Sequence, residues 1–424
     1  MARLLYSLVI YLATPLILLR LLWRSRRQPE YLQNLAERWG IYRLPVAEKL
    51  IWVHAVSVGE TRAAQPLVEA LRDAWPEHRI LLTCTTPTGR EAGREVYGER
   101  VIQAYLPYDY PDAVDRFFRY FSPAFGVLME TEIWPNLLAA ALRRRVPVIL
   151  ANARLSQRSA RGYGKVSALT GPAFAALSAV AAQTPGDAAR IAGLGANPVS
   201  ALGNLKFDVT PAPDKLALGR AWREVLGGRP VWLAASTREG EEVLVLEAWR
   251  EVSATGALLV LVPRHPQRFA EVAALLEQSD IDFVRRSEGL PGSTTQIWLG
   301  DSMGEMAAYY ALADIAFVGG SLLPFGGQNL IEAAACGCPV IVGPHTFNFL
   351  QATDDAVTAG AARRVGDPAG LAAAITQALL DPGELAEMRA AAAVFAAAHR
   401  GATELTVGLI RSVLTVQRQG REGR

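Results

Sequence analysis

The sequence predicts two α/β domains, each a parallel sheet covered by helices on both faces. Three observations carry this. Strand-length apolar runs at 51–58, 80–85, 101–106, 125–129, 146–150 and 180–183 alternate with helical patterns, which is the signature of repeated βαβ units. A Thr210-Pro211-Ala212-Pro213 segment then breaks the pattern as a stiff linker would, and the alternation resumes with runs at 231–235, 257–262, 296–299, 315–318 and 340–342. Finally, 424 residues exceed what one hydrophobic core comfortably serves, about 250 to 300 residues. Ligands of such Rossmann-like domains are expected at the C-terminal ends of the strands, in a cleft, where helix N-termini favour phosphate.

Composition narrows the function. Half the residues are apolar and a fifth are charged, as in folded globular proteins. A formal net charge of +2 gives no case for nucleic acid, so any electrostatic preference must reside in local clusters. Cys84, Cys336 and Cys338 are too few for a disulfide framework and fit a reducing compartment, placing the catalytic body in the cytoplasm. Cys336-Gly-Cys338 lacks partner ligands, so the two thiols read as small core residues rather than a metal site.

At the N-terminus, positions 4–19 are apolar apart from Ser7, Tyr11 and Thr14, and Leu21, Leu22 and Trp23 extend the run beyond Arg20. Arg24, Arg26 and Arg27 follow. Basic residues after an apolar stretch with no small-residue cleavage site predict an uncleaved membrane anchor over 1–27, its C-terminal flank in the cytoplasm. The run is slightly short for a full span of about 20 residues, so a tilted span and a helix lying in the interface both remain open.

The remaining division is a first domain over 28–210, a second over 211–416 and a basic, flexible tail over 417–424. In the first domain, Ile51-Trp52-Val53-His54-Ala55-Val56-Ser57-Val58-Gly59-Glu60 reads as a buried strand, a glycine turn and a carboxylate opening a helix. The pattern leaves two roles open for Glu60, a catalytic group or a complement to the helix dipole. Glu130-Thr131-Glu132-Ile133-Trp134-Pro135-Asn136 delivers two more carboxylates to the same rim, although Glu132 lies close enough to Pro135 to serve the helix start. Gly203-Asn204-Leu205-Lys206-Phe207-Asp208 places one of only four lysines, against 39 arginines, at the end of the first domain.

In the second domain, Pro263-Arg264-His265-Pro266-Gln267-Arg268 sets cations at a strand end where a phosphate could dock. Asp301-Ser302-Met303-Gly304-Glu305 offers backbone N–H groups at a helix start. Gly319-Gly320-Ser321-Leu322 with Phe325-Gly326-Gly327-Gln328-Asn329-Leu330-Ile331-Glu332 is a glycine-rich loop running into a helix, suited to a phosphate ligand, and Glu332 could accept hydrogen bonds from ribose hydroxyls. No Walker loop, His-Glu-x-x-His, zinc spacing or GxGxxG fingerprint is present, and Asp280-Ile281-Asp282 reads as a turn, so metal independence is expected.

Taken in order, the His-Ala-Val-Ser-Val-Gly-Glu turn, Glu-Thr-Glu-Ile-Trp-Pro, Asn152-Ala153-Arg154-Leu155-Ser156, Gly-Asn-Leu-Lys-Phe-Asp, Pro-Arg-His-Pro and Gly-Gly-Gln-Asn-Leu-Ile-Glu resemble the 3-deoxy-D-manno-octulosonic acid (Kdo) transferases of Gram-negative bacteria. The match runs nearly the whole chain, anchor included. The resemblance implies a GT-B fold, an inverting mechanism without metal or cofactor, CMP-Kdo as donor and a lipid A precursor (lipid IVA) as acceptor at the inner membrane. It also implies that the first domain binds the acceptor and the second the CMP-sugar. Glu60 then looks like the general base, and Glu130 and Lys206 resemble the pair that stabilises the transition state. CMP contacts fall on Pro263, Arg264, Met303, Gly304, Glu305, Asn329, Leu330, Ile331 and Glu332. Arg154, Arg158, Arg161 and Lys165 could meet the acceptor's phosphates or form a solvated helix face. The alternative is another GT-B enzyme, a transferase or epimerase that uses a UDP-sugar; a membrane-tethered binding protein without activity is the reading from a different class.

Overall fold

The apolar runs of the first half assemble into one seven-stranded, all-parallel sheet. The computed structural model describes residues 1–44 and 49–422. Strands β1 (Leu50–His54), β2 (Arg79–Cys84), β3 (Val101–Tyr105), β4 (Phe125–Met129), β5 (Val148–Ala153), β6 (Ala179–Ala182) and β7 (Val199–Ala201) lie in the order β3-β2-β1-β4-β5-β6-β7. Because side chains alternate across a strand, Leu50 and Trp52 enter a core with Phe117, Phe118 and Leu138 on one face. Ile51 and Val53 meet Leu67, Val127 and Ile149 on the other. Both faces are thus dry, which is why β1 shows no polar alternation. Gly126 in β4 has no room for a side chain, since a Cβ there would lie 2.4 Å from Cε3 of the buried Trp52 ring.

The second half repeats the plan. Strands β8 (Val231–Thr237), β9 (Leu258–Pro263), β10 (Phe283–Arg285), β11 (Ile297–Leu299), β12 (Ile315–Val318), β13 (Val340–Val342) and β14 (Ala362–Arg364) form a parallel sheet ordered β10-β11-β9-β8-β12-β13-β14. Trp232, Leu259, Phe317 and Ile341 pack there with Leu371 and Ile375 of the helix Pro368–Leu380.

The chain divides into two compact units, one comprising Met1–Asp208 together with the residues from Arg400 onward, the other Val209–His399. The sequence expectation had run the second domain to residue 416. The physical reason for the difference is a cap: the Asp208 carboxylate accepts from the backbone N–H of Gly401 at 2.7 Å and of Thr403 at 2.6 Å, fixing the start of the helix Ala402–Glu422. Ala402, Val407 and Ile410 of that helix then join the first unit's core beside Val68, Leu71 and Leu205. Of the tail expected from 417, residues 417–422 continue this helix, and residues 423 and 424 lie outside the described residues.

The N-terminal run is not the single anchor helix that was expected. It breaks at Ala13 into Ala2–Leu12 and Thr14–Ser25, bent by 49°, and among the described residues no single helix is long and apolar enough to cross a membrane. Only the bent pair meets that test, by length and composition. Pro15 causes the break, because its ring clashes with the preceding turn and its missing N–H removes one helical hydrogen bond. The first helix is docked through polar side chains: Tyr6 to Asp109, Ser7 to Asn136, Tyr11 to Asp112 and Thr14, beyond the break, to Tyr110.

Candidate active site

The order of strands reverses direction between β1 and β4 in the first sheet and between β8 and β12 in the second. At such points the connections leave to opposite sides and open a crevice at the C-terminal strand ends. Glu60 and Glu130 follow β1 and β4 at the first of these points and Asn329, Leu330, Ile331 and Glu332 follow β12 at the second, whereas Lys206 follows β7, Arg264 follows β9, and Met303, Gly304 and Glu305 follow β11.

Beyond β1 the chain enters the helix Val58–Ala63, capped by Ser57, whose Oγ accepts from Glu60 N at 3.3 Å. The Glu60 carboxylate reaches back, accepting from Ser57 Oγ and from Val56 N at 2.9 Å each. This is a variant of the capping box, with the carboxylate on the N–H of Val56 rather than of Ser57, so the helix-end role is present. It also holds the carboxylate in one orientation. Burial is the largest influence on its proton affinity and raises it; the Val56 N–H opposes, Glu130 adds, the Ser57 hydroxyl opposes and Glu132 adds, leaving the pKa pushed up to about 7. A carboxylate poised there can take a proton at neutral pH and release it again.

Glu130 follows β4 in a left-handed conformation, φ +57°, which a residue with a Cβ adopts at some cost and which recurs at functional sites. Lys206 Nζ lies 3.3 Å from Glu130 Oε1, with both side chains about a quarter exposed and open to a ligand. Lys206 is carried on the 3₁₀ turn Leu205–Asp208. Asn152 Oδ1 accepts from Leu205 N at 3.0 Å, and Asn204 Oδ1 from Lys206 N at 3.0 Å, so two amide side chains set that turn. Glu132 is raised by burial, against a hydrogen bond from Trp134 Nε1 at 2.7 Å. Glu60, Glu130, Glu132 and Lys206 therefore form one cluster within the first unit. Neighbouring His54 is fully buried, its pKa lowered to about 4 by burial against a Thr83 hydrogen bond, and belongs to the core.

In the second unit, Pro263 ends β9, and Arg264 N donates to Thr237 O at 3.0 Å while Arg264 Nε donates to Gln328 Oε1 at 3.2 Å. Met303 is exposed and Gly304 takes φ +75° ahead of the helix Met306–Leu312. Glu305 is held by Arg286 Nη2 at 3.1 Å and by the Ser302 hydroxyl. Asn329 Oδ1 caps the short helix Leu330–Ala335 by accepting from Ile331 N at 3.1 Å. Leu330 and Ile331 are core side chains, so they can offer a ligand only backbone; Glu332 is half-buried.

One expectation is overturned. The N–H groups of Gly320, Ser321 and Leu322 do not await a phosphate, because the fully buried Glu241 carboxylate accepts from all three and also from Arg238 N. A side chain of the same unit thus fills the nest that the glycines form, and it fixes the loop after β12 to the start of the helix Glu241–Val252. Glu241 was not singled out from the sequence; its signal was a carboxylate at a helix start following a buried strand, the pattern that had singled out Glu60. Arg268 is likewise committed, to Glu242 at 2.6 Å. Asp280, φ +54°, sits in a turn, and among the described residues no group of three or more His, Cys, Asp or Glu could hold a metal ion.

Two parallel-sheet units, with a carboxylate cluster at the switch point of the first, define a fold of the GT-B type. Solved structures share the fold: a glycosyltransferase from Rickettsia africae aligns over 86% of this chain and 98% of its own at TM-score 0.59 and 13% identity. UDP-GlcNAc 2-epimerase from Neisseria meningitidis aligns over 86% and 100% at 0.58 and 16%. The family is narrower. Residues 33–209 match the family model for 3-deoxy-D-manno-octulosonic-acid transferase (kdotransferase), and residues 277–394 match glycosyl transferases group 1. The 3-deoxy-D-manno-octulosonic acid transferase of Bordetella pertussis is 45% identical over 98% of this chain and 100% of its own, and that of Haemophilus influenzae 42% identical over 82% and 84%. The chain belongs to the Kdo transferase family and is a glycosyltransferase.

Proposed function

We propose that the enzyme transfers Kdo from CMP-Kdo to a lipid A precursor such as lipid IVA, with inversion and without a metal ion. The observation that carries the reading is the half-buried, oriented carboxylate of Glu60, its pKa pushed up to about 7, beside the Glu130–Lys206 pair. Glu60 takes the proton of the acceptor hydroxyl as its oxygen bonds to the anomeric carbon, and CMP leaves from the opposite face with the electrons of the broken C–O bond. Positive charge grows on the sugar ring in that step and negative charge on the leaving phosphate. Glu130, held in place by Lys206, suits the first, and Arg264, aimed by Gln328, suits the second without a metal. Glu332 is assigned the ribose, and Pro263, Met303, Gly304, Glu305, Asn329, Leu330 and Ile331 the rest of CMP.

The acceptor is a phosphorylated lipid, and two features suit it. Helix Gln157–Lys165, just after β5, turns Arg158, Arg161 and Lys165 into an open depression that would receive phosphate. Leu4, Leu8, Leu12, Leu16, Leu19 and Trp23 of the N-terminal pair are exposed, and Arg20, Arg24, Arg26 and Arg27 accompany them. Such a surface suits a seat in the plane of the cytoplasmic leaflet of the inner membrane, apolar face among the acyl chains and arginines at anionic headgroups.

The test is Glu60→Gln, nearly isosteric but unable to accept a proton. Turnover should fall about 10²-fold or more while CMP affinity, read by calorimetry, stays unchanged. Near-normal turnover would leave Glu60 only its capping role.

A further inference from the structure

The N-terminal helices are tied to the loop that carries the catalytic acids. Tyr6 Oη donates to Asp109 Oδ2 at 3.0 Å, and the same buried carboxylate accepts from Asn136 N at 3.0 Å and Leu137 N at 2.8 Å. Asn136 Nδ2 in turn donates to Asp109 O at 2.7 Å and to Ser7 Oγ at 3.1 Å. Asn136 and Leu137 occupy the first turn of the helix Pro135–Arg143, where N–H groups have no partner within the helix. Pro135 at that helix start brings no N–H of its own, and the residue before it, Trp134, makes no side-chain cap. Asp109 stands in for that cap from another segment, and its second task is to receive Tyr6.

The loop 130–134 is fixed at its two ends and tied once between them, where the Thr131 hydroxyl donates to Arg154 O. Its near end is the last hydrogen bond of the sheet, Glu130 N to Ala151 O at 3.0 Å. Its far end is the helix start that Asp109 holds. Between them, Glu130 meets Lys206 and Glu132 meets Trp134.

We propose that Tyr6, Ser7 and Asp109 are positioning residues, through which the N-terminal helix pair sets where Glu130 and Glu132 stand relative to Glu60. This rests on the reading of Glu60 as the base. It makes the apolar helices part of the catalytic arrangement as well as a means of attachment, so a chain whose N-terminal pair is displaced would keep its donor site but lose the geometry of its acids.

A readout exists that loss of attachment alone would not move. Glu130 and Glu132 are the charged groups acting on Glu60, and both raise its pKa; the Val56 N–H and Ser57 hydroxyl lower it. On the adjoining helix Pro87–Tyr97, Arg90 pairs with Glu37, Arg94 with Glu91 and Glu95 with Arg62, and none of them acts on Glu60. If the loop relaxes away, the like-charge repulsion on Glu60 falls and the acidic limb of the rate profile moves to lower pH.

The experiment compares full-length Tyr6→Phe/Ser7→Ala with Tyr11→Phe, which removes the neighbouring tie from the same helix to Asp112, a residue that does not hold the loop. The double variant should lose about tenfold in kcat, as displaced catalytic groups do, with its acidic limb shifted down by a few tenths of a pH unit. CMP affinity and sedimentation with phosphatidylglycerol vesicles should match wild type, and Tyr11→Phe should behave as wild type throughout. An unchanged kcat and limb in a folded, vesicle-bound double variant would overturn the proposal, and so would an equal loss in Tyr11→Phe. Should the double variant fail to fold, Tyr6→Phe alone is held to the same two readouts. A failure of the underlying reading shows separately, as a wild-type profile with no limb near pH 7 or an active Glu60→Gln.

Discussion

At the scale of the residue, Glu60 is one carboxylate that caps a helix and, in the proposed reaction, also acts as base. A base works ionised, so kcat/KM should rise with pH and level off above about 7. Stability should run the other way. The folded pKa lies above the ordinary value of 4.5, so the unfolded chain gives up this proton first; the fold is unpenalised below 4.5 and loses stability as pH climbs from there to about 7. Thermal midpoints measured across that window should therefore fall more steeply for wild type than for Glu60→Gln. Parallel curves would show that the carboxyl is not perturbed, and the base assignment would lose its physical ground. The same residue shows what sequence could and could not deliver. A carboxylate after a buried strand was visible, but its two roles could not be separated, since the raised pKa comes from burial and from Glu130 and Glu132, which lie 70 and more positions away.

At the scale of elements, the strands with unbroken apolar runs were legible, the edge strand β3 among them, and the short edge strands β7 and β14 were not. Val199-Ser200-Ala201 and Ala362-Arg363-Arg364 are three residues each and partly polar, so they carry no periodic signal; they become strands β7 and β14 only because β6 and β13 offer them partners. The N-terminal run shows the converse failure. Hydropathy suggested one helix, while Pro15 and the polar ties of Tyr6, Ser7, Tyr11 and Thr14 bend it onto the first unit. In the glycine-rich stretch after β12, sequence gave the right local backbone and the wrong occupant, since nothing local shows that Glu241 lies 79 positions away from the N–H of Gly320 that it fills. Packing between β1 and β4 can be tested directly. The Trp52 ring is pinned by its 2.7 Å bond to Thr83 Oγ1 and by Phe117 and Phe118 at its edges, so it cannot yield to a new Cβ at position 126. Gly126→Ala should therefore destabilise the first unit by about 1–3 kcal/mol, seen as a lowered thermal midpoint. A midpoint equal to that of wild type would mean the strands have slack that this close contact denies.

At the scale of the whole molecule, the proposed chemistry is divided between two units of the same parallel design. The first carries the acids and the lysine, the second an arginine and capped turns suited to a nucleotide. The returning helix Ala402–Glu422, fixed by Asp208, makes the first unit depend on both ends of the chain. Mass spectrometry of the lipid product tests the transfer itself. Incubated with CMP-Kdo and a lipid A precursor disaccharide, the purified chain should add whole Kdo residues to the lipid and release CMP, and should add nothing from UDP-sugars. A lipid of unchanged mass with CMP-Kdo, or one that gains a sugar from a UDP donor, would contradict the account.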